Sequence, residues 1–196
     1  MTDRQLETDR LRLMPPSLED LPIMLAVLQS NKEHLAPFLP WLPHVLSEEQ
    51  LKQSIVEAMD SFEKFEGEQR YSLFNKENGV LVGVIGLIVR DQSVPYFEIG
   101  YWLAQDYVGQ GYISEAVLAL EHYAFTELKA QRIEIKAAQT NLKSRAVPER
   151  NGYQLEGVLQ KARRLPSGVL DNTVIYAKTR PTRHVVIEDL IVKSSR

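Results

Sequence analysis

Between Glu98 and Ala116 the chain reads Glu-Ile-Gly-Tyr-Trp-Leu-Ala-Gln-Asp-Tyr-Val-Gly-Gln-Gly-Tyr-Ile-Ser-Glu-Ala, a strand pattern that passes through a glycine-punctuated turn into an amphipathic helix. A helix opening near Gly111 leaves its first backbone N–H groups without intrahelical partners. Gly109 and Gly111 let an anion approach the main chain closely. Glu98 lies upstream on the same strand, so a phosphate cradle and a candidate base arrive together, a combination suited to group transfer from a phosphate-bearing cofactor. By itself a two-glycine turn is equally an ordinary strand-to-helix connection. No Lys-Ser or Lys-Thr follows at phosphate-loop spacing, and the three-glycine dinucleotide pattern is incomplete.

At 196 residues, 44% hydrophobic and 25% charged, the chain can bury one substantial core and is expected to form one domain. A formal net charge of -3 gives no electrostatic case for broad nucleic-acid binding, and the basic run from Lys161 to Arg164 reads as a solvated face. With no cysteine, disulfides, thiolate metal sites and a cysteine nucleophile are excluded, which fits a reducing cytoplasmic setting. The N-terminus is polar, unlike a secretory signal, and the longest apolar run, Val80 to Val89, is too short for a bilayer and contains Gly83 and Gly86. It reads as a buried strand, and no membrane partner is expected. His34, His44, His122 and His184 are scattered without ligand spacing, so no metal is expected.

Along the chain, Leu11 and Leu13 alternate with charged residues as a first strand would, and Pro15-Pro16 stops it. Ser17 caps a helix through about Gln29, with Glu19 and Asp20 complementing its dipole. The segment from Leu35 to Pro43 breaks the helical pattern with three prolines and offers large apolar groups, as a substrate-facing lip or a buried loop would. Ser47 opens a second helix with Leu51, Ile55, Met59 and Phe62 on one face, ending near Gly67. Tyr71 to Phe74, Val80 to Val89 and Val94 to Leu103 predict an antiparallel meander, turned at Glu77-Asn78-Gly79 and Asp91-Gln92-Ser93. Ile113, Val117, Leu120 and Ala124 pack the next helix on that sheet. A strand over Arg132 to Ala138, a short helix over Asn141 to Asn151, a re-entry at Gly152-Tyr153 and a strand over Thr173 to Lys178 complete one α+β or mixed α/β domain.

Two blocks together resemble the GNAT acetyltransferases, particularly the RimJ/RimL type: Tyr101-Trp102-Leu103-Ala104 leading to Gly109-Gln110-Gly111-Tyr112 with Glu115-Ala116, and the run from Asn141 to Tyr153 containing Ser144, Pro148, Glu149 and Gly152. The resemblance covers roughly Leu6 to Thr179. It implies a single, mostly antiparallel sheet of six to seven strands flanked by helices and splayed between its fourth and fifth strands. Acetyl-coenzyme A would be wedged into the opening. Residues 1–180 would form the acetyltransferase domain and residues 181–196 a C-terminal extension of unknown role. Backbone groups around Trp102 and Leu103 would pair with pantetheine. Amides of Val108, Gly109, Gln110, Gly111, Tyr112 and Ile113 would receive the pyrophosphate, with Asn141 and Ser144 near the thioester.

Two positions depart from the family pattern. Val108 stands where Gln or Arg is common, which removes a side-chain contribution to phosphate binding. Ile113 replaces a usual Ala or Gly, so its bulk either crowds the pyrophosphate or turns into the core.

An amine is mostly protonated at neutral pH, so a base must remove a proton before or during attack, an effect worth ~10² to 10⁴ in rate. Glu98 is the candidate, sharing a face with Tyr96 and Gly100, where partial burial among aromatics would raise its pKa. The alternative reading is a strand carboxylate satisfying a neighbouring Arg. Ser144 matches the family position that stabilises the departing sulfur, or is a helix-surface serine. Asn141 orients pantetheine or caps its own helix. Tyr101 and Tyr153 are readings of aromatic packing first.

The resemblance points to an N-acetyltransferase that uses direct amine attack in a ternary complex on a protein or peptide α-amine of ribosomal-protein type. A small-amine acetyltransferase for polyamines or antibiotics and a non-catalytic acyl-coenzyme A sensor stay open as alternatives. The apolar residues from Val185 to Val192 could dock on the domain or extend a contact in a homo-oligomer.

Overall fold

The computed structural model describes residues 4–180. The C-terminal extension, residues 181–196, lies outside the described residues, and with it His184 and the docking or oligomer contact read from Val185 to Val192.

One eight-stranded sheet runs in the order β1-β2-β3-β4-β5-β6-β8-β7, built from β1 (Leu6–Glu7), β2 (Leu11–Met14), β3 (Glu68–Asn75), β4 (Leu81–Asp91), β5 (Tyr96–Leu103), β6 (Arg132–Ala138), β7 (Gln154–Arg164) and β8 (Leu170–Thr179). All neighbours are antiparallel except β5 and β6, which pair in parallel. The count exceeds the expected six to seven because of β1, only two residues long, and β7. Nearly every residue of β7 is exposed and its pairing with β8 shifts register twice, so it carries no apolar alternation for a sequence to display.

Five helices accompany the sheet: α1 (Leu21–Ser30), α2 (Lys32–Leu35), α3 (Glu48–Lys64), α4 (Tyr112–Thr126) and α5 (Leu142–Arg150). Ser17 caps a single 3-10 turn over Leu18–Asp20, and α1 starts only after it, with Pro22 in its first turn, where a missing N–H costs nothing. Ser47 accepts the N–H of Gln50 to start α3, and Phe65 at φ 54° ends it. Leu51, Ile55 and Phe62 are buried as expected, but Met59 is 39% exposed and Ala58 takes its place on the inner face.

Pairing register sorts the sheet into two chemistries. On one face Tyr71, Leu73, Ile85, Leu87, Phe97, Ile99, Ile133 and Ile135 form the main core with Ile113, Ala116, Val117, Leu120 and Ala124 of α4. The opposite face carries three cross-strand rows: Ser72, Val84 and Trp102; then Arg70, Gly86 and Gly100; then Glu68, Ile88, Glu98 and Glu134. Over Val84 and Trp102 pack Met24, Leu28, Leu35, Leu42, Leu51 and Ile55. The burial of these side chains, worth roughly 1.5–3 kcal/mol for each large one, anchors α1 and α3 on this face.

A Cβ on Gly83 would lie 2.3 Å from the carbonyl oxygen of Trp102 and 3.0 Å from Cα of Leu103, both main chain. Gly83→Ala must therefore push the end of β5 outward. The expected cost is about 1–3 kcal/mol in urea denaturation, a typical overpacking penalty, and acetyl-coenzyme A affinity should fall with it.

Candidate active site

Strands β5 and β6 share rungs only from Tyr96↔Arg132 to Ile99↔Ile135. Beyond them β5 stays with β4 as far as Leu103, and β6 stays with β8 as far as Ala138. The sheet is thus split between these strands and leaves two facing edges unpaired. Ala104 N–H donates to Val82 O at 2.9 Å, which sets the ladder's alternation. Trp102 turns its N–H and C=O toward β4, and Tyr101 and Leu103 turn theirs to the gap. The main-chain groups that face the gap are therefore those of Tyr101 and Leu103, whereas Trp102 presents only its side chain there.

Beyond Leu103 the chain makes a 3-10 turn over Gln105–Tyr107. Val108 N–H closes it onto Gln105 O at 3.2 Å, so that amide is not free for a phosphate. Gly109 and Gly111 have φ of 82° and 84°, a region open to glycine and strained for other residues. Gly111 caps α4 without a side chain, and the first amide to find a helical acceptor is that of Glu115. The N–H groups of Tyr112, Ile113 and Ser114 have no partner among the described residues. Free donors at the positive end of a helix dipole are the arrangement that attracts an anion.

Neighbouring side chains fix this turn. Arg10 lies over the Tyr112 ring at 4.3 Å and donates to Gln110 O at 3.0 Å and to Glu115 at 2.7 Å. Burial pushes the Glu115 carboxyl up, but hydrogen bonds from Thr8 and Arg10 outweigh it and hold the group below its ordinary pKa. The Gln110 side chain folds back through Nε2 onto Asp106 O, so the N–H it keeps for an anion is that of its backbone. Tyr112 Oη accepts from Asn75 at 2.9 Å. Ile113 is buried in the main core, the second of the two outcomes its bulk left open, and the residue also borders the cavity along the gap.

A cavity of about 740 Å³ follows the gap from Val108, Gly109 and Gly111 past Leu103 to Asn141 and Ser144. Asn141 Oδ1 accepts the Ser144 N–H at 3.1 Å, so its carbonyl is committed to capping α5. Pro148 lies inside this helix and cannot donate to Ser144 O, its i−4 acceptor. The hydroxyl of Tyr101 supplies the missing donor at 2.9 Å. Burial pushes the Tyr101 phenol well above its ordinary pKa, which keeps the proton that this bond requires. Ser144 Oγ lies 3.5 Å from Tyr101 Oη.

On the polar face of the sheet a second cavity, about 720 Å³, meets the first at Phe38, Leu39, Tyr101, Trp102, Asn141 and Ser144. The Leu35 to Pro43 segment does both things read from its composition: Leu35 and Leu42 are buried, and Phe38, Leu39, Pro40 and Trp41 line this chamber. Glu98 sits in its wall beside the last β5–β6 rungs. Cations rather than aromatic rings surround it: Arg90 at 2.7 and 3.0 Å and Lys136 at 3.1 Å, all on Oε2. Lys136 also holds Glu134 at 2.9 Å, and Arg132 joins Glu134 to Glu156. Six alternating charges thus tie β4, β5, β6 and β7 together where the split begins.

The structure brings Glu98, Ser144, Trp102, Leu103, Asn141 and the glycine turn around one two-chambered cleft. Sequence reading missed Tyr101 as a positioning group, although Pro148 four residues after Ser144 announced an orphan carbonyl. It also missed Arg163, read as part of a solvated run, which lines the acceptor-side chamber. Among the described residues no group of three or more His, Asp or Glu side chains is placed to hold a metal, and no helix is long and apolar enough to cross a membrane.

A sequence description of the acetyltransferase (GNAT) domain matches residues 10–154. The ribosomal-protein-serine acetyltransferase of Escherichia coli (strain K12) is 30% identical over 178 residues, 91% of this chain and 97% of that protein. Among solved structures, the ribosomal L7/L12 alpha-N-protein acetyltransferase RimL in complex with coenzyme A superimposes with a TM-score of 0.83 at 26% identity, covering 90% of this chain and 98% of that one. The microcin C7 self immunity acetyltransferase MccE, in complex with acetyl-CoA and AMP, gives 0.81 at 27% identity over 88% and 94%. The cleft fits such a cofactor: three unpartnered amides suit a pyrophosphate, and an open strand edge beside an apolar trough suits pantetheine.

Tyr101→Phe removes the one donor on Ser144 O and leaves the ring in place. A loss of about 1–3 kcal/mol in stability is expected, the cost of a buried unsatisfied carbonyl. Turnover should fall as Ser144 shifts, and acetyl-coenzyme A binding, measured by calorimetry, should change little.

Proposed function

The chain belongs to the GNAT acetyltransferase family and is an acetyl-coenzyme A dependent N-acetyltransferase; from that premise we propose that its acceptor is the N-terminal α-amine of a protein or peptide. The observation that carries this reading is the charge balance of the acceptor-side chamber. Three carboxylates, Asp20, Glu68 and Glu98, line it against four cations, Arg70, Arg90, Lys136 and Arg163. A polycationic acceptor such as a polyamine would meet net repulsion there. A peptide end brings a single ammonium and main-chain polar groups, and the apolar lip at Phe38 and Trp41 suits its side chains. The names of relatives that act on ribosomal proteins support the same reading.

Acetyl-coenzyme A supplies the activated acetyl thioester. Amides of Tyr112, Ile113 and Ser114, with those of Gly109, Gln110 and Gly111, hold its phosphates, and the gap-facing edge of Tyr101 and Leu103 holds the arm. Glu98 takes the amine's proton, directly or through a water, on Oε1, which carries no partner among the described residues. Arg90 and Lys136 fix where that oxygen stands. Ser144 Oγ donates to the departing sulfur, and Tyr101 holds the first turn of α5 in register with it. A sensor that binds the cofactor without turnover would have no use for this second chamber.

Release of free coenzyme A, measured with pooled N-terminal peptides beside spermidine and aminoglycosides, tests the assignment. Peptide-dependent release is expected, reduced ~10² to 10⁴ by Glu98→Gln at unchanged cofactor affinity. Ser144→Ala should cost about tenfold, the worth of one hydrogen bond of roughly 1.5 kcal/mol. Release with small polycations alone overturns the peptide reading.

A further inference from the structure

Seven charged side chains line the acceptor-side chamber, and five of them are already satisfied by one another. Glu68 pairs with Arg70 at 3.1 Å, and Glu98 pairs with Arg90 and Lys136. Asp20 and Arg163 are left over. Asp20 Oδ2 is buried without a hydrogen-bond partner, and the Ser72 hydroxyl of β3 is the polar side chain that acts on the carboxyl as a hydrogen-bond donor. Burial raises the Asp20 pKa, with the Glu19 charge adding to it and the Ser72 hydroxyl opposing it, and no cation is among the groups that act on it.

Arg163 has no hydrogen bond or ion pair among the described side chains. Its cross-strand neighbour Asp171, whose carboxylate is lowered first by a hydrogen bond from Thr140, already holds Thr140 at 2.7 Å and the amide of Asn172. Arg163 closes a bulge in β7, where Lys161 has φ 51° and donates its N–H to Asn172 at 2.7 Å. A bulge re-aims the side chains beside it, and this one lets a residue of an exposed edge strand line the chamber. Arg163 belongs to β7, beyond β6 and β8 on one side of the split, and Asp20 ends the 3-10 turn before α1, next to Ser72 of β3 on the other side.

We propose that Asp20 and Arg163 are a specificity pair that selects acceptors carrying both an amine and a nearby anionic group, in a peptide an acidic side chain within the first few residues. Asp20 holds the ammonium as it enters the chamber, before the amine passes to Glu98. Arg163, whose planar fork of donors suits a carboxylate, holds the acid across the gap. An acceptor with both groups supplies the hydrogen-bonded partners that Asp20 Oδ2 and Arg163 lack among the described residues, and one lacking the acid leaves the guanidinium only the nearby charge of Asp171. The inference rests on the acceptor chamber of the proposed function and deepens it.

The test compares hexapeptides of one sequence beginning Ser-Ala, with either Asp or Asn at the third and fourth positions. Wild type should favour the Asp peptide at least tenfold in kcat/KM, chiefly through KM. Arg163→Gln should bring the ratio near one, Arg163→Lys should restore part of it, and acetyl-coenzyme A affinity and melting temperature should stay unchanged in both. Asp20→Asn should raise KM for both peptides alike and leave their ratio intact. Equal use of the two peptides by wild type, or a ratio that survives Arg163→Gln, overturns the pair. If peptides fail and small amines react, the peptide reading falls separately. The pair is then judged on 4-aminobutyrate against n-butylamine, where it requires the carboxylated amine to win and Arg163→Gln to abolish the preference.

Discussion

Everything else in this molecule depends on β5 and β6 parting after the rung between Ile99 and Ile135. Backbone donors and acceptors are rarely left bare inside a fold, so a split through the middle of a sheet must be enforced from both sides. Strand β4 holds β5 to Leu103, and β8 holds β6 to Ala138. On the β5 side the Asn31 side chain accepts the Gln105 amide at 2.7 Å and Ala104 donates to Val82, so the strand end cannot swing back. The edges stay open because each strand is fully engaged elsewhere.

The same split divides the labour of the charged residues. Below it, the chain Arg90, Glu98, Lys136, Glu134, Arg132 and Glu156 holds four strands together on a face too polar to be closed by packing. Partly exposed pairs of this kind contribute little singly, and their value here is geometric. They set Glu98 at the apex of the cleft with one carboxylate oxygen tethered. The ion-paired reading of Glu98 made from sequence describes Oε2, and the proposed role as base falls to the untethered Oε1.

Much of the fold was legible because its core obeys simple periods. Ile113, Val117, Leu120 and Ala124 recur at helical spacing, Ser47 stands where a cap should, and the strand from Arg132 to Ala138 has the bounds its pattern gives. The glycine turn was legible because a positive φ and a close approach to the main chain both call for glycine, and positions 109 and 111 carry it. What escaped depends on contacts across the chain. Strand β7 is exposed on both faces, so periodicity says nothing about it. Trp102 and Leu103 look alike as neighbours, and only the ladder's alternation shows that Leu103 faces the gap. Arg163 reads as one more surface cation until a bulge is known to turn it inward. Ser144 O loses its helical donor to Pro148, a local fact, but its replacement lies 43 residues away at Tyr101.

Amide hydrogen exchange, followed residue by residue with and without saturating acetyl-coenzyme A, tests the central claim most directly. The account predicts that Leu103, Tyr112, Ile113 and Ser114 slow on binding, and that Trp102, already bonded to β4, does not. Protection of Trp102 in place of Leu103, or a first turn of α4 indifferent to the cofactor, would contradict it.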